Sequence, residues 1–97
     1  MLPEVDFAPE VELDIAEAYI WYLRAGRGEE LLVSIDACIG RIRRWQLMYQ
    51  AVSNGYRRAV IRKCPYALFY KPTADLVTVR AFFHTSRDPE TWRKRLM

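Results

Sequence analysis

Apolar and polar residues alternate along this chain with two different periods, and the switch between them predicts the elements. From Pro9 to Leu23 the period is helical. Leu13, Ala16, Ile20 and Leu23 make one stripe, expected to be the buried one, while Ile15, Tyr19 and Tyr22 make a second beside it. Pro9 suits the first helical position, where a missing N–H costs nothing, and Arg24-Ala25-Gly26-Arg27-Gly28 ends the helix. A second helix is predicted from about Glu29 to Trp45, with the stripe Leu31, Leu32, Ile35, Cys38, Ile39, Ile42 and Trp45. Its acids, Glu29 and Glu30, lie in the first turn, and Arg41, Arg43 and Arg44 lie near the last, which suits the helix dipole at both ends. The short link makes the two helices an antiparallel hairpin.

The period then drops to two. Three strand-like runs follow: Arg57 to Lys63, Tyr66 to Lys71 and Leu76 to His84. Cys64-Pro65 and Pro72-Thr73-Ala74-Asp75 separate them, and such short links favour an antiparallel meander. In the third run strict alternation puts Val77, Val79, Ala81 and Phe83 on one face and Thr78, Arg80, Phe82 and His84 on the other. Arg62 is expected to join that second face, giving a surface of cations and aromatics. Glu4 to Phe7 alternates briefly and reads as a short edge strand. Gln46 to Gly55 has no clear period and ends in a turn signal, Ser53-Asn54-Gly55. Asp88 as N-cap and Pro89 after it open a last short helix, whose Trp92 is expected to fold back on the sheet. The order of elements predicts an α+β fold in one domain, residues 1–97. A short N-terminal strand and a helical hairpin would pack on one face of an antiparallel sheet, with a short C-terminal helix.

Length and composition agree. Ninety-seven residues, 52% of them hydrophobic and 13% aromatic, describe a folded globule with a radius of gyration of about 12–13 Å. No apolar run is long enough to span a bilayer and no secretory signal opens the chain, so a cytoplasmic protein without a membrane partner is expected. Two cysteines, Cys38 and Cys64, form no disulfide framework and no metal motif. Cys38 falls on a buried stripe and reads as core filler.

Charge sharpens the picture. Residues 1–40 hold two basic and nine acidic residues, whereas residues 41–97 hold thirteen basic and three acidic ones. Acidic helices packed beside a basic sheet would account for this, and so would an anionic partner for the second half.

Motifs for phosphate loops, metal clusters and serine nucleophiles are absent, and no metal or cofactor is expected. Metal-free cleavage of RNA could be assembled, since it needs a base, an acid and cations around a phosphate. Arg62, Arg80, His84 and Arg87 are the candidates, with His84 the sole proton shuttle because guanidinium is a poor base. A strand-end histidine is more commonly a hydrogen-bonded structural residue. Arg57, Arg58, Tyr70, Phe82, Trp92, Arg93 and Arg95 are the candidates for contacting a macromolecular partner.

Arg62-Lys63-Cys64-Pro65-Tyr66-Ala67-Leu68-Phe69-Tyr70, then Val77-Thr78-Val79-Arg80-Ala81, then His84-Thr85-Ser86-Arg87-Asp88-Pro89 with Trp92 and Arg95, resembles the toxins of the RelE/ParE superfamily. Ala16, Trp21-Tyr22 and Gly28-Glu29-Glu30-Leu31 extend the likeness over nearly the whole chain. The resemblance implies a toxin of a type II toxin-antitoxin system, held in a hetero-oligomer by a cognate antitoxin. RelE-type members cut mRNA on the ribosome using lysines, arginines and a tyrosine, and ParE-type members poison DNA gyrase. Arg62 and Arg87 match arginines of the nuclease type. Arg57, Arg58 and Ala59 stand where that type has strand lysines, and Trp92 stands near its C-terminal tyrosine. The Cys64-to-Tyr70 and Arg87-Asp88-Pro89 features resemble the ParE side, so gyrase is the expected target and ribosome-dependent mRNA cleavage the alternative.

Overall fold

The computed structural model describes residues 1–97 as β1 (Glu4–Phe7), α1 (Pro9–Arg24), α2 (Gly28–Arg44), β2 (Gln50–Ser53), β3 (Tyr56–Val60), β4 (Tyr66–Pro72), β5 (Leu76–His84) and α3 (Pro89–Arg95). The strands form one sheet in the order β1-β5-β4-β3-β2. The radius of gyration is 12.8 Å. The α+β fold, the helical hairpin and the antiparallel β3-β4-β5 meander are as the sequence predicts. So are the helix signals. Gly26 takes φ +73° just past α1, and the Asp88 carboxylate accepts a hydrogen bond from the Glu90 N–H at 2.9 Å.

Several expectations are corrected. The edge strand β1 runs parallel to β5, so the sheet is mixed. Residues 50–53, read as irregular, form β2 in a hairpin with β3. Its two-residue turn, Asn54-Gly55, has φ of 50° and 81°, the conformation an Asn-Gly pair adopts at least cost. β3 ends at Val60, so Arg62 lies in a turn and not on the sheet.

The last correction concerns faces. The helical hairpin covers one face, burying Val11, Ala18, Leu31, Ile35, Cys38 and Ile42 against Leu68, Tyr70, Val77, Val79 and Phe82. α3 covers the other face, where Leu96 and Trp92 pack on Ala67, Phe69, Ala81 and Phe83. On α1 the roles of the two stripes are exchanged. Ile15, Tyr19 and Tyr22 pack against the core, and Leu13, Ala16, Ile20 and Leu23 face solvent, with Leu13 71% exposed. On α2, Leu32 and Trp45 are likewise exposed.

Strict alternation along β5 also fails. Phe69 pairs with Ala81 and Tyr70 with Val79, so Arg80 is an extra residue with no partner. This bulge flips the pleat between its two ends. Val77 and Val79 therefore face the helices, and Ala81 and Phe83 face α3.

Tyr70 spans from the sheet to the chain beyond α2. Its ring is fully buried and its hydroxyl donates to the Gln46 carbonyl at 2.6 Å. Burial pushes that hydroxyl up to about 12. Below its ordinary value, near 10, the group is neutral folded or unfolded. Above it the unfolded chain releases the proton and the folded chain holds it, so stability falls as pH rises from 10 through 12. Tyr70→Phe is expected to cost about 1 kcal/mol at pH 8, the net worth of one hydrogen bond. Its deficit should close or reverse by about pH 11, as urea unfolding of both proteins would read.

Candidate functional site

The eleven residues singled out from sequence divide into those committed to holding the fold and those left free. Arg57 donates through Nη1 to the carbonyls of Leu47 (3.2 Å) and Tyr49 (2.7 Å). Arg80 donates to the Arg95 carbonyl at 3.2 Å and pairs with Glu10 at 3.1 Å. Arg95 makes a two-pronged pair with Asp14, at 2.9 and 3.3 Å, and lies over the Phe83 ring. Tyr70 and Phe82 are buried. Arg62 is exposed in the β3–β4 turn, and β4 separates its strand from β5, so it does not join Arg80.

The others converge. On the face that α3 half covers, Arg58, Arg87 and Arg93 line an open cleft of about 440 Å³ with Gln50, Thr85 and Trp92. The hairpin places Arg58 beside Gln50, and the Asp88 cap sets the direction in which α3 leaves the sheet. Trp92 stacks on Phe69 with ring centroids 5.0 Å apart, and Arg93 lies over the indole at 5.3 Å. No carboxylate lines the cleft. Arg58 and Arg87 have no acidic partner, and the Arg93–Glu90 pair is long (3.4 Å) and exposed on both sides. Two guanidiniums without a counter-ion and a third in a loose surface pair, next to an aromatic face, suit a phosphate or carboxylate attached to a planar or apolar group.

Arg87 also reaches round the end of β5 to a second recess, of about 350 Å³, between α1 and the strand. Trp21, Glu17, Tyr66, Phe82 and His84 line it. Tyr66 is stacked on Phe82 at 4.8 Å and meets the His84 ring edge-on at 5.2 Å. His84 Nδ1 accepts the Ser86 backbone N–H at 3.0 Å, with the Ser86 hydroxyl at 2.8 Å. An amide can only donate, so Nδ1 holds the lone pair and Nε2 carries the proton. The imidazole's one lone pair is thus taken by Ser86. Burial raises the Tyr66 hydroxyl above its ordinary value, and burial together with the Cys64 thiol raises Tyr22 to about 12. Neither phenol is poised to give up its proton. Burial likewise pushes the Cys38 thiol up, consistent with core filler.

Sequence reasoning brought Arg58, Arg87, Trp92 and Arg93 into view but not as one cleft, because they come from β3, a loop and α3. Trp21 it passed over. The available signal was that Trp21 lies off the packed stripe of α1, where a large aromatic has no core to fill.

No family model matches the sequence, and no curated protein matches it. The chain is similar in structure to a solved chain described as "Chromosomal ParDE TA system from P. aeruginosa". The two superpose with a TM-score of 0.62 over 86% of this chain and 96% of that one, at 10% sequence identity. The likeness establishes a ParE-like α+β fold.

Proposed function

We propose that the chain is the toxin of a type II toxin-antitoxin pair that arrests growth by inhibiting DNA gyrase. The observation that carries this reading is the fold shared with the ParDE TA chain over nearly the whole of both molecules. The residue resemblance to the RelE/ParE toxins supports it independently. The exposed α1 stripe, Leu13, Ile20 and Leu23, is the natural seat for an apolar face of the antitoxin.

The choice of gyrase over mRNA cleavage rests on the chemistry of the two recesses. The cation-lined cleft holds no proton-accepting side chain, and in the second recess the His84 lone pair is engaged by Ser86, leaving the exposed Glu17 carboxylate as the one acceptor a 2′-hydroxyl could meet. The alternative, ribosome-dependent mRNA cleavage, is favoured by the uncompensated Arg87, which is suited to phosphate charge.

Expression of the chain alone should arrest growth, and the adjacent antitoxin should restore it. Purified protein should inhibit supercoiling by gyrase and leave cell-free translation intact. His84→Ala should remain fully toxic, whereas a general base would lose roughly 10²–10⁴-fold. Loss of toxicity in folded His84→Ala, with translation as the inhibited process, would establish the nuclease instead.

A further inference from the structure

Residues 37–74 contain eight cations and not one acid. Within that stretch, the loop between α2 and β2 turns three large apolar side chains outward. Trp45, Leu47 and Met48 are 56%, 68% and 55% exposed. A loop free to relax would tuck at least one of them under the hairpin. This one is held. The Trp45 N–H donates to the Arg41 carbonyl at 2.9 Å and the Met48 N–H to the Trp45 carbonyl at 3.1 Å. From the sheet, the Tyr70 hydroxyl takes the Gln46 carbonyl, and Arg57 takes those of Leu47 and Tyr49. Arg41 Nε fixes the Tyr49 ring through its hydroxyl at 3.2 Å.

The loop is therefore inside out relative to an ordinary surface turn. Its backbone carbonyls point inward to donors from β3 and β4, and its apolar side chains point to water. Arginines in the last turn of α2 stand immediately before it, and Arg44 has no acidic partner. An already ordered tip loses little conformational entropy on docking, which is how rigid anchors convert apolar area into affinity. Apolar anchors at the centre with charges at the rim are the anatomy of a protein interface.

We propose that the tip formed by Trp45, Leu47 and Met48 is a protein-docking surface, seating in an apolar pocket of a partner whose rim is acidic. Charge complementarity with the acid-free stretch selects the partner. A symmetric contact with a second copy of this chain is disfavoured, since it would bring like-charged arginines together. That the partner is the protein the toxin inhibits rests on the function proposed above.

The test compares wild type with the triple variant Trp45→Ser, Leu47→Ser, Met48→Ser, with Leu47→Glu as a single-site variant should the triple fold poorly. The double variant Leu32→Ser, Val33→Ser on α2 serves as the control for loss of exposed apolar surface. Melting temperature, binding to gyrase holoenzyme, inhibition of supercoiling and growth arrest are read for each. The tip variants should fold and lose roughly 100-fold in gyrase binding and inhibition, the scale of losing an interface anchor cluster. The α2 control should inhibit like wild type. Tip variants that inhibit as wild type does would overturn the proposal while leaving the toxin reading intact. Growth arrest by wild type without gyrase inhibition would overturn the gyrase reading alone, and the tip would then be scored on growth: loss of arrest supports it, full arrest overturns it. A wild-type chain that neither arrests growth nor binds gyrase removes both. Tip-dependent binding to phosphatidylcholine vesicles containing phosphatidylglycerol, or to duplex DNA, in place of protein would reassign the surface and overturn protein docking.

Discussion

Asp14→Ala is expected to lower the free energy of unfolding by about 3 kcal/mol, roughly 150-fold in the folding equilibrium, without touching the hydrophobic core. Strand β1 accompanies β5 only as far as Val79. Beyond that point the outer edge of β5 has no strand beside it. The Thr85 N–H donates to the Pro65 carbonyl, so alternate residues, Phe83 and Ala81, turn their backbone groups to β4, and Phe82 turns its own outward. Asp14, one turn into α1, supplies the missing acceptor and takes the Phe82 N–H at 3.2 Å. The same carboxylate receives both Nη groups of Arg95, so one side chain joins α1, β5 and α3. Both partners are largely buried, 12% and 22% exposed, which makes breaking the pair costly.

Alanine leaves an unpaired N–H at a strand edge and an unpaired guanidinium under α3. Asp14→Asn keeps an oxygen for Phe82 and loses the charge, and should cost about half as much. The Asp14→Ala, Arg95→Ala double variant should cost far less than the sum of the singles, since each removes the same pair. Urea unfolding of the four proteins measures all of this. A loss below about 0.5 kcal/mol in Asp14→Ala would show that the α1–β5–α3 junction is held by packing alone.

Nothing local announces that junction. Asp14 and Arg95 lie 81 residues apart, and each looks like an ordinary helix-surface charge. α1, α2 and β5 were legible because 16, 17 and nine residues repeat a pattern several times. β2, with four residues, does not, and only the Asn54-Gly55 pair betrays its hairpin. The two stripes of α1 show a different limit. Both are apolar at helical spacing, so periodicity identifies a helix without saying which side is down. The decision falls to shape. Val11 and Ala18 are small enough for α1 to lie close across the sheet, and Ile15, Tyr19 and Tyr22 reach round its sides. The candidate site was legible as chemistry but not as geometry. Its arginines could be counted, but whether each had a carboxylate or carbonyl to hold depended on residues between eight and 81 positions away. Arg57, Arg80 and Arg95 turned out to have one, and Arg58 and Arg87 did not.

Phe82→Ala is where sequence alternation and the folded strand give opposite results. Strict alternation groups Phe82 with Thr78, Arg80 and His84 on an exposed face, where truncation of a surface aromatic changes stability by about 0.5 kcal/mol at most. The bulge at Arg80 reverses that assignment. Phe82 is 1% exposed, lies in the cluster with Leu68 and Tyr70 beneath the helical hairpin, and is stacked on Tyr66 with planes 5° apart. Its removal therefore opens a cavity under α1 and strips the stacking partner from Tyr66. The expected loss is about 3–5 kcal/mol, a large share of the 5–15 kcal/mol that a domain of this size commands. The urea midpoint should fall with an unchanged slope, because the surface exposed on unfolding is nearly the same. Arg80→Ala, one bulge residue away, should cost about 1 kcal/mol or less, since its pair with Glu10 is partly solvated. A Phe82→Ala protein as stable as Arg80→Ala would put Phe82 back on the surface and the strand back in strict alternation.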